Sequence, residues 1–102
     1  MQLSIKDRII IPSVFPKTGK FEDLILTEEI LKKIKFSLDE IKAHNIHSNQ
    51  SAGVEWNEEG YIPLECDFSE LEKVLIKKCL VEMNAQEKLT SDHLDIYRKF
   101  VL

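Results

Sequence analysis

Apolar residues recur at helical spacing between Phe21 and Ile34. One face of a helix drawn through this segment carries Leu24, Thr27, Leu31 and Ile34, with Leu26 and Ile30 beside it. The pattern predicts one continuous helix from Phe21 to Ile34. The alternative is a short strand that ends at Leu26, followed by a helix that Thr27 caps.

Four further helix starts carry an N-terminal cap, a short polar residue whose side chain accepts a hydrogen bond from a backbone amide of the first turn. The cap residues are Ser4, Ser37, Ser69 and Thr90. The first three are followed three residues later by a carboxylate that can bond back to the cap's own amide, which makes a capping box: Asp7, Glu40 and Glu72. These signals predict helices over about 5–11, 38–44 and 70–84, and a last helix after Thr90.

The helix behind Ser69 is the longest of these four. Its apolar face consists of Leu71, Val74, Leu75, Cys79 and Met83, and Ile76 and Leu80 widen it. A broad apolar face is typical of a helix that is covered by several neighbours. We therefore predict that this helix lies at the centre of the core, with all of these residues inside.

A β-hairpin is predicted between the third and fourth helices. Val54–Trp56 and Tyr61–Cys66 read as strands, and Asn57–Gly60 between them has the length and the terminal residues of a four-residue hairpin loop. Trp56 and Tyr61 would then be cross-strand neighbours on one face. That face either covers the helices or, with Glu58 and Glu59 beside it, forms an aromatic anchor ringed by acids that contacts another protein.

These elements describe a mainly α, α+β domain that spans residues 1–102: five helices with one hairpin between the third and fourth. Of the residues, 43% are hydrophobic and 31% are charged, a balance typical of globular rather than disordered chains. Three helices followed by a hairpin is also the order of a winged-helix domain, which makes DNA binding a function to be tested.

Charge is unevenly distributed along the chain. Residues 37–68 hold seven acidic side chains and one basic one, a balance of −6, whereas the whole chain carries −4. In a winged helix this segment would supply the DNA-contacting elements, and an acidic surface repels phosphates. We therefore expect no nucleic-acid partner. The alternative, a winged-helix-like regulator, would need the basic residues Lys17, Lys20, Lys32, Lys33 and Lys35 to contact DNA.

Residue types that bind metals or catalyse reactions are sparse and widely spaced. His44 and His47 lie three apart and Cys66 and Cys79 thirteen apart, without the close cysteine pairs of structural zinc sites. We expect both histidines to face solvent and both cysteines to be reduced core residues. Cys79 with His93 is the one conceivable nucleophile and base. We predict no catalytic residue, no cofactor and no metal, and no apolar run is long enough for a membrane span.

The C-terminal helix is apolar on two sides. Leu94, Tyr97 and Val101 lie on one side, and Ile96 and Phe100 lie on the other. If the first side docks on the core, Ile96 and Phe100 form an exposed patch that a second copy of the chain can cover. We therefore predict a homodimer through this helix.

Several segments resemble a family of small uncharacterised proteins of bacteriophages and prophages. They are 3–12 and 16–21, Val54-Glu55-Trp56-Asn57, Lys88-Leu89-Thr90 and Tyr97-Arg98-Lys99-Phe100. The resemblance implies a bacterial cytoplasm and assigns no functional residue. Taken with the charge pattern, it favours a non-catalytic protein-interaction module that acts through oligomerisation or an acidic surface, with Trp56, Tyr61, Glu58, Glu59, Ile96 and Phe100 as contact residues.

Overall fold

The computed structural model of the protein describes residues 1–51 and 53–102. Within them the α-helices are α1 (Ile5–Ile10), α2 (Phe21–Ile34), α3 (Leu38–Ala43), α4 (Glu70–Ala85) and α5 (Leu94–Phe100), and 3-10 turns cover Ile11–Val14 and Ser91–His93. The strands are β1 (Gln2–Leu3), β2 (His47–Asn49), β3 (Gly53–Glu55) and β4 (Leu64–Glu65). The predicted class is confirmed, because the fold is mainly helical α+β with a hairpin between the third and fourth helices.

The helix starts lie where their caps predict them. Ser4, Ser37 and Ser69 each accept a hydrogen bond from the amide three residues later, and the carboxylate there bonds back to the cap. Thr90 caps the 3-10 turn that leads into α5. The segment from Phe21 to Ile34 is one continuous helix, as the first of the two alternatives predicts.

The strands of the hairpin differ from those predicted. Gly53–Glu55 pairs antiparallel with His47–Asn49, and Leu64–Glu65 pairs instead with β1 at the chain's start. Asn57–Gly60 still turns the chain, since the Tyr61 amide donates to the Glu58 carbonyl at 2.9 Å. Beyond that turn Pro63 has no N–H for a strand ladder, and the chain runs to β1 rather than back along β3.

The core gathers residues from every helix except α3 around the inner face of α4. Its completely buried side chains are Leu3, Ile5, Ile11, Ile30, Ile76, Leu80 and Ile96. Cys66 and Cys79 are buried and unpaired, as predicted, and burial raises the pKa of both thiols. The prediction for α4 is wrong at Leu71 and Val74, which are 67% and 60% exposed.

Ion pairs and hydrogen bonds hold the start of the chain to α5 and to the segment around β4. Lys99 on α5 binds the carboxylate of Asp7 on α1 and donates to the Gln2 carbonyl at 3.1 Å. The terminal amine of Met1 binds Glu65 at 2.7 Å and the Cys66 carbonyl at 3.1 Å. Among the described helices, none has both the length and the hydropathy needed to cross a bilayer.

Candidate functional site

Tyr61 is part of the fold and not the partner of Trp56 across a hairpin. Its hydroxyl donates to the Leu3 carbonyl at 3.1 Å and accepts from an Arg8 nitrogen at 3.2 Å. Its ring meets the His44 ring edge-on, with 5.3 Å between the centroids. The predicted cross-strand pair is therefore wrong, because the strand that ends at Glu55 pairs with His47–Asn49 and Tyr61 lies in none of the described strands.

Trp56 and the two glutamates after it remain available to a partner. The indole is half-buried and its N–H donates to a Glu58 oxygen at 3.1 Å. Glu58 and Glu59 are exposed, and the Asn57 side chain accepts the Glu59 amide at 2.9 Å and holds the turn. The indole borders a cleft of 330 Å³ that Lys6, Ile9, Ile10, Gly53, Val54 and Asp92 also line.

Ile96 and Phe100 do not form an exposed patch. Ile96 is 1% exposed, and the ring of Phe100 packs edge-on against Phe68 with 5.7 Å between the centroids. α5 therefore turns this side to the core, and its exposed large apolar residue is Leu94, on the helix surface. The predicted exposed patch of Ile96 and Phe100 is therefore wrong, because the chain's own core covers Ile96 and packs against Phe100.

The two histidines of the predicted loop differ in environment. His47 is exposed, beside Glu55 at 3.2 Å. His44 is buried, contrary to the prediction, and its Nδ1 contacts the Asn57 carbonyl at 2.9 Å. Residues 1–51 and 53–102 contain no group of three or more His, Cys, Asp or Glu side chains arranged to hold a metal ion.

A serine lies next to the buried His93, in the manner of a nucleophile beside its base. Ser13 Oγ is 3.4 Å from His93 Nε2 and donates to the Ile10 carbonyl at 2.6 Å. On the other side of the ring, Nδ1 accepts the Thr90 amide at 3.0 Å, so the proton of a neutral imidazole resides on Nε2. A nitrogen that already carries a proton cannot remove one from Ser13, and the contacts of this ring with Thr90 are those of the capping box at the start of the 3-10 turn.

Arg8 is the central polar residue of the fold. Its guanidinium donates to the carbonyls of Ile34 and Lys35 at 3.0 and 2.8 Å. It also donates to the two carboxylate oxygens of Glu40, at 2.5 and 3.1 Å. Phe36 stacks on it, with 4.1 Å from the guanidinium carbon to the ring centroid. The hydrogen bonds from Arg8 hold the pKa of Glu40 at about 2, against an ordinary 4.5. Every donor is engaged, so the group fixes structure and offers none to a ligand.

The lysines required by the DNA-binding alternative are partly neutralised. Lys33 binds Glu72 at 2.5 Å and the Asp67 carbonyl at 2.9 Å. Although burial alone would raise it, the pKa of Glu72 is lowered by the hydrogen bond from Lys33. Lys32 lies 3.4 Å from the carboxylates of both Glu28 and Glu29. A phosphate backbone would therefore have to compete with carboxylates for these cations.

The surface with the clearest capacity to bind is the groove between α2 and α4, which sequence reasoning missed. Asp23, Leu24 and Thr27 of α2 face Leu75, Lys78 and Glu82 of α4. The loop before α2 completes the lining with Phe15, Pro16, Thr18 and Gly19. A shallow depression of 410 Å³ on the surface of α2 alone continues it past Leu24 and Thr27, with Glu28, Leu31, Lys32 and Lys35 as its further lining. We call this surface the α2–α4 groove.

The helices beside the groove are antiparallel. The C-terminal end of α2 meets the N-terminal end of α4 through Lys33 and Glu72, and Leu24 near the start of α2 lies opposite Glu82. Seven of the twelve large apolar side chains that are exposed among the described residues lie on these two helices: Phe21, Leu24, Ile25, Leu31, Leu71, Val74 and Val81. The sequence carries a signal for part of this concentration, because Leu71, Val74 and Val81 recur at helical spacing and form a second apolar stripe on α4.

Comparison with known proteins adds nothing to this geometry. No protein-family model matches the chain, and no curated protein and no solved structure matches it either.

Proposed function

We propose that the protein is a non-catalytic protein-interaction module that acts by oligomerisation or through its acidic surface. The observation that carries this proposal is the exposure of large apolar side chains on α2 and α4, among them Leu71 at 67% and Phe21 at 73%. Such side chains are normally covered, and a concentration of them on two adjacent helices is typical of a surface that binds protein. The acidic turn with Trp56, Glu58 and Glu59 is a second contact surface.

The resemblance to phage and prophage proteins supports a setting for this function. We propose that the chain is of phage or prophage origin and acts in the bacterial cytoplasm. Its partner is then a host protein, a phage protein or another copy of the chain.

The proposal is tested by retrieving partners from the native cell with three tagged forms of the protein. Leu31→Asp places a charge in the groove at a residue that is 37% exposed and outside the buried core. Ile62→Asp places the same charge on a residue that is 84% exposed and outside the groove. We expect quantitative mass spectrometry to show partners lost by the Leu31 variant and kept by the Ile62 variant. Equal recovery by all three forms contradicts a groove-based interaction.

DNA binding is tested separately, by gel shift with random duplex DNA at about 150 mM salt, close to physiological ionic strength. We expect no complex tighter than ordinary non-specific binding, roughly micromolar or weaker, because Lys32 and Lys33 are paired with carboxylates. A sub-micromolar dissociation constant that Lys17→Glu or Lys20→Glu weakens would support the winged-helix-like regulator instead.

A further inference from the structure

The two ends of the α2–α4 groove carry opposite charge. Asp23 and Glu82 line the end near the start of α2. Lys35 lines the end near its finish, beside Lys32, which already lies 3.4 Å from the carboxylates of Glu28 and Glu29. Glu28 and Lys78 lie between these ends and balance each other, so the groove is neutral as a whole and polarised along its length.

The apolar lining of the groove has a matching symmetry. Leu24 and Leu31 are seven residues apart, which is two helical turns and about 10 Å along α2. They are almost equally exposed, at 40% and 37%. Thr27 lies midway between them. A half-turn about an axis through Thr27 and across α2 therefore exchanges Leu24 with Leu31 and the acidic end with the basic end.

We propose that the occupant of the α2–α4 groove is a second copy of this chain, related to the first by a two-fold axis that crosses the groove near Thr27. The proposal rests on the proposed function, since it names the partner of the same surface. In a two-fold contact residue i of one copy meets residue j of the other, and j meets i. Leu24 of each copy then packs on Leu31 of the other, and the acidic end of each, with Asp23 and Glu82, meets the end that carries Lys35 of the other.

The charges make this arrangement specific. A parallel pairing of two grooves would set acidic end against acidic end and basic end against basic end, which costs free energy. The antiparallel two-fold pairing gives unlike charges at both ends. Exposed ion pairs are screened at high ionic strength, so the dimer weakens as salt is added while its apolar contact persists.

The experiment is sedimentation equilibrium over a range of protein concentrations. We expect the mass of the wild type to rise toward twice 11.9 kDa. Leu31→Asp should stay monomeric, and Ile62→Asp, its control outside the groove, should dimerise like the wild type. Circular dichroism of each variant verifies that the fold is retained.

Charge reversal gives the sharper test. In a dimer of Lys35→Glu, both ends set acidic side chains against acidic side chains. In a dimer of Glu82→Lys, both ends set basic side chains against each other. Each variant alone should therefore dimerise roughly tenfold more weakly than the wild type. In a one-to-one mixture, the two reversed side chains face each other at one end of the heterodimer, and the native Lys35 and Glu82 face each other at the other end. Both ends then pair unlike charges, and the mixture should recover near wild-type affinity.

Two outcomes overturn the proposal. One is a wild type that remains monomeric at about 1 mM, a concentration at which even a weak dimer forms. The other is a mixture that dimerises no better than its components. If either occurs while Leu31→Asp still loses cellular partners, the groove binds a different protein, and the proposed function stands without the second copy. If Leu31→Asp also retains every partner, both fail.

Discussion

Arg8 on α1 binds both carboxylate oxygens of Glu40 on α3, and the arginine side chain is only 1% exposed. The same guanidinium donates to the carbonyls of Ile34 and Lys35, where α2 ends. These carbonyls have no partner within the helix and need a donor from outside it. One residue therefore joins three helices and orders the turn between α2 and α3, at the end of the groove where Lys35 lies.

Removing Arg8 should destabilise the protein strongly. Arg8→Ala leaves Glu40 without its cation and two helix-end carbonyls without donors, and we expect a loss of about 3–5 kcal/mol in the free energy of unfolding. Arg98→Ala is the matched control, because Arg98 pairs with Asp95 in solvent, where an ion pair contributes less than about 1 kcal/mol. Urea denaturation of both variants measures the difference. Similar urea midpoints for the two variants would show that the contacts of Arg8 do not stabilise the fold.

Stability should fall in acid because of the same pair. The folded-state pKa of Glu40 is about 2, below its ordinary 4.5, so the unfolded chain binds the proton first as the pH drops. The contribution of Glu40 is then complete above about pH 5 and is lost as the pH falls toward about 2. Thermal melts across this range should follow this course. Glu40→Gln should be less stable at neutral pH and should show a flatter decline in acid; an unchanged slope would contradict the assignment.

Local signals in the sequence predict the helix starts because their causes are local. Ser37 and Glu40 are three residues apart, and a capping box needs nothing beyond that spacing. The hairpin strands could not be predicted in the same way. Val54 pairs with Ser48, and Leu64 pairs with Leu3, 61 positions earlier in the chain. No turn signal near Leu64 indicates that its partner strand lies at the start of the chain, around Leu3.

The inward face of α4 illustrates a second limit. Two apolar stripes run along this helix at helical spacing, one through Leu71 and Val74 and the other through Ile76 and Leu80. Both satisfy the pattern of a buried face, and the rest of the core decides which one turns inward.

The burial of Arg8 could have been predicted from its position in the sequence. It lies three residues after Ile5 and three before Ile11, both of them fully buried, and therefore on the inner side of α1.

The cap at Ser37 allows a quantitative test of a local signal. Ser37 Oγ accepts the Glu40 amide at 3.1 Å, and Ser37→Ala should cost about 1 kcal/mol because that amide loses its acceptor. Ser48→Ala in the exposed strand β2 should cost almost nothing. Melting temperatures of the two variants give the comparison. Since Glu40 also binds Arg8, a double variant with Arg8→Ala should lose less than the sum of the single effects.

The C-terminal helix provides the last test, and it separates core from surface within three residues. Ile96→Ala removes a side chain that is 1% exposed and should cost about 2–5 kcal/mol, because the cavity it leaves cannot close completely. Leu94→Ala removes a side chain that is 48% exposed and should cost well under half as much. Neither change touches the groove, so both variants should dimerise like the wild type under conditions where they are folded. If Ile96→Ala instead melts like the wild type but loses its dimer, then α5 is a contact surface after all, and the interface has to be moved from the groove to the end of the chain.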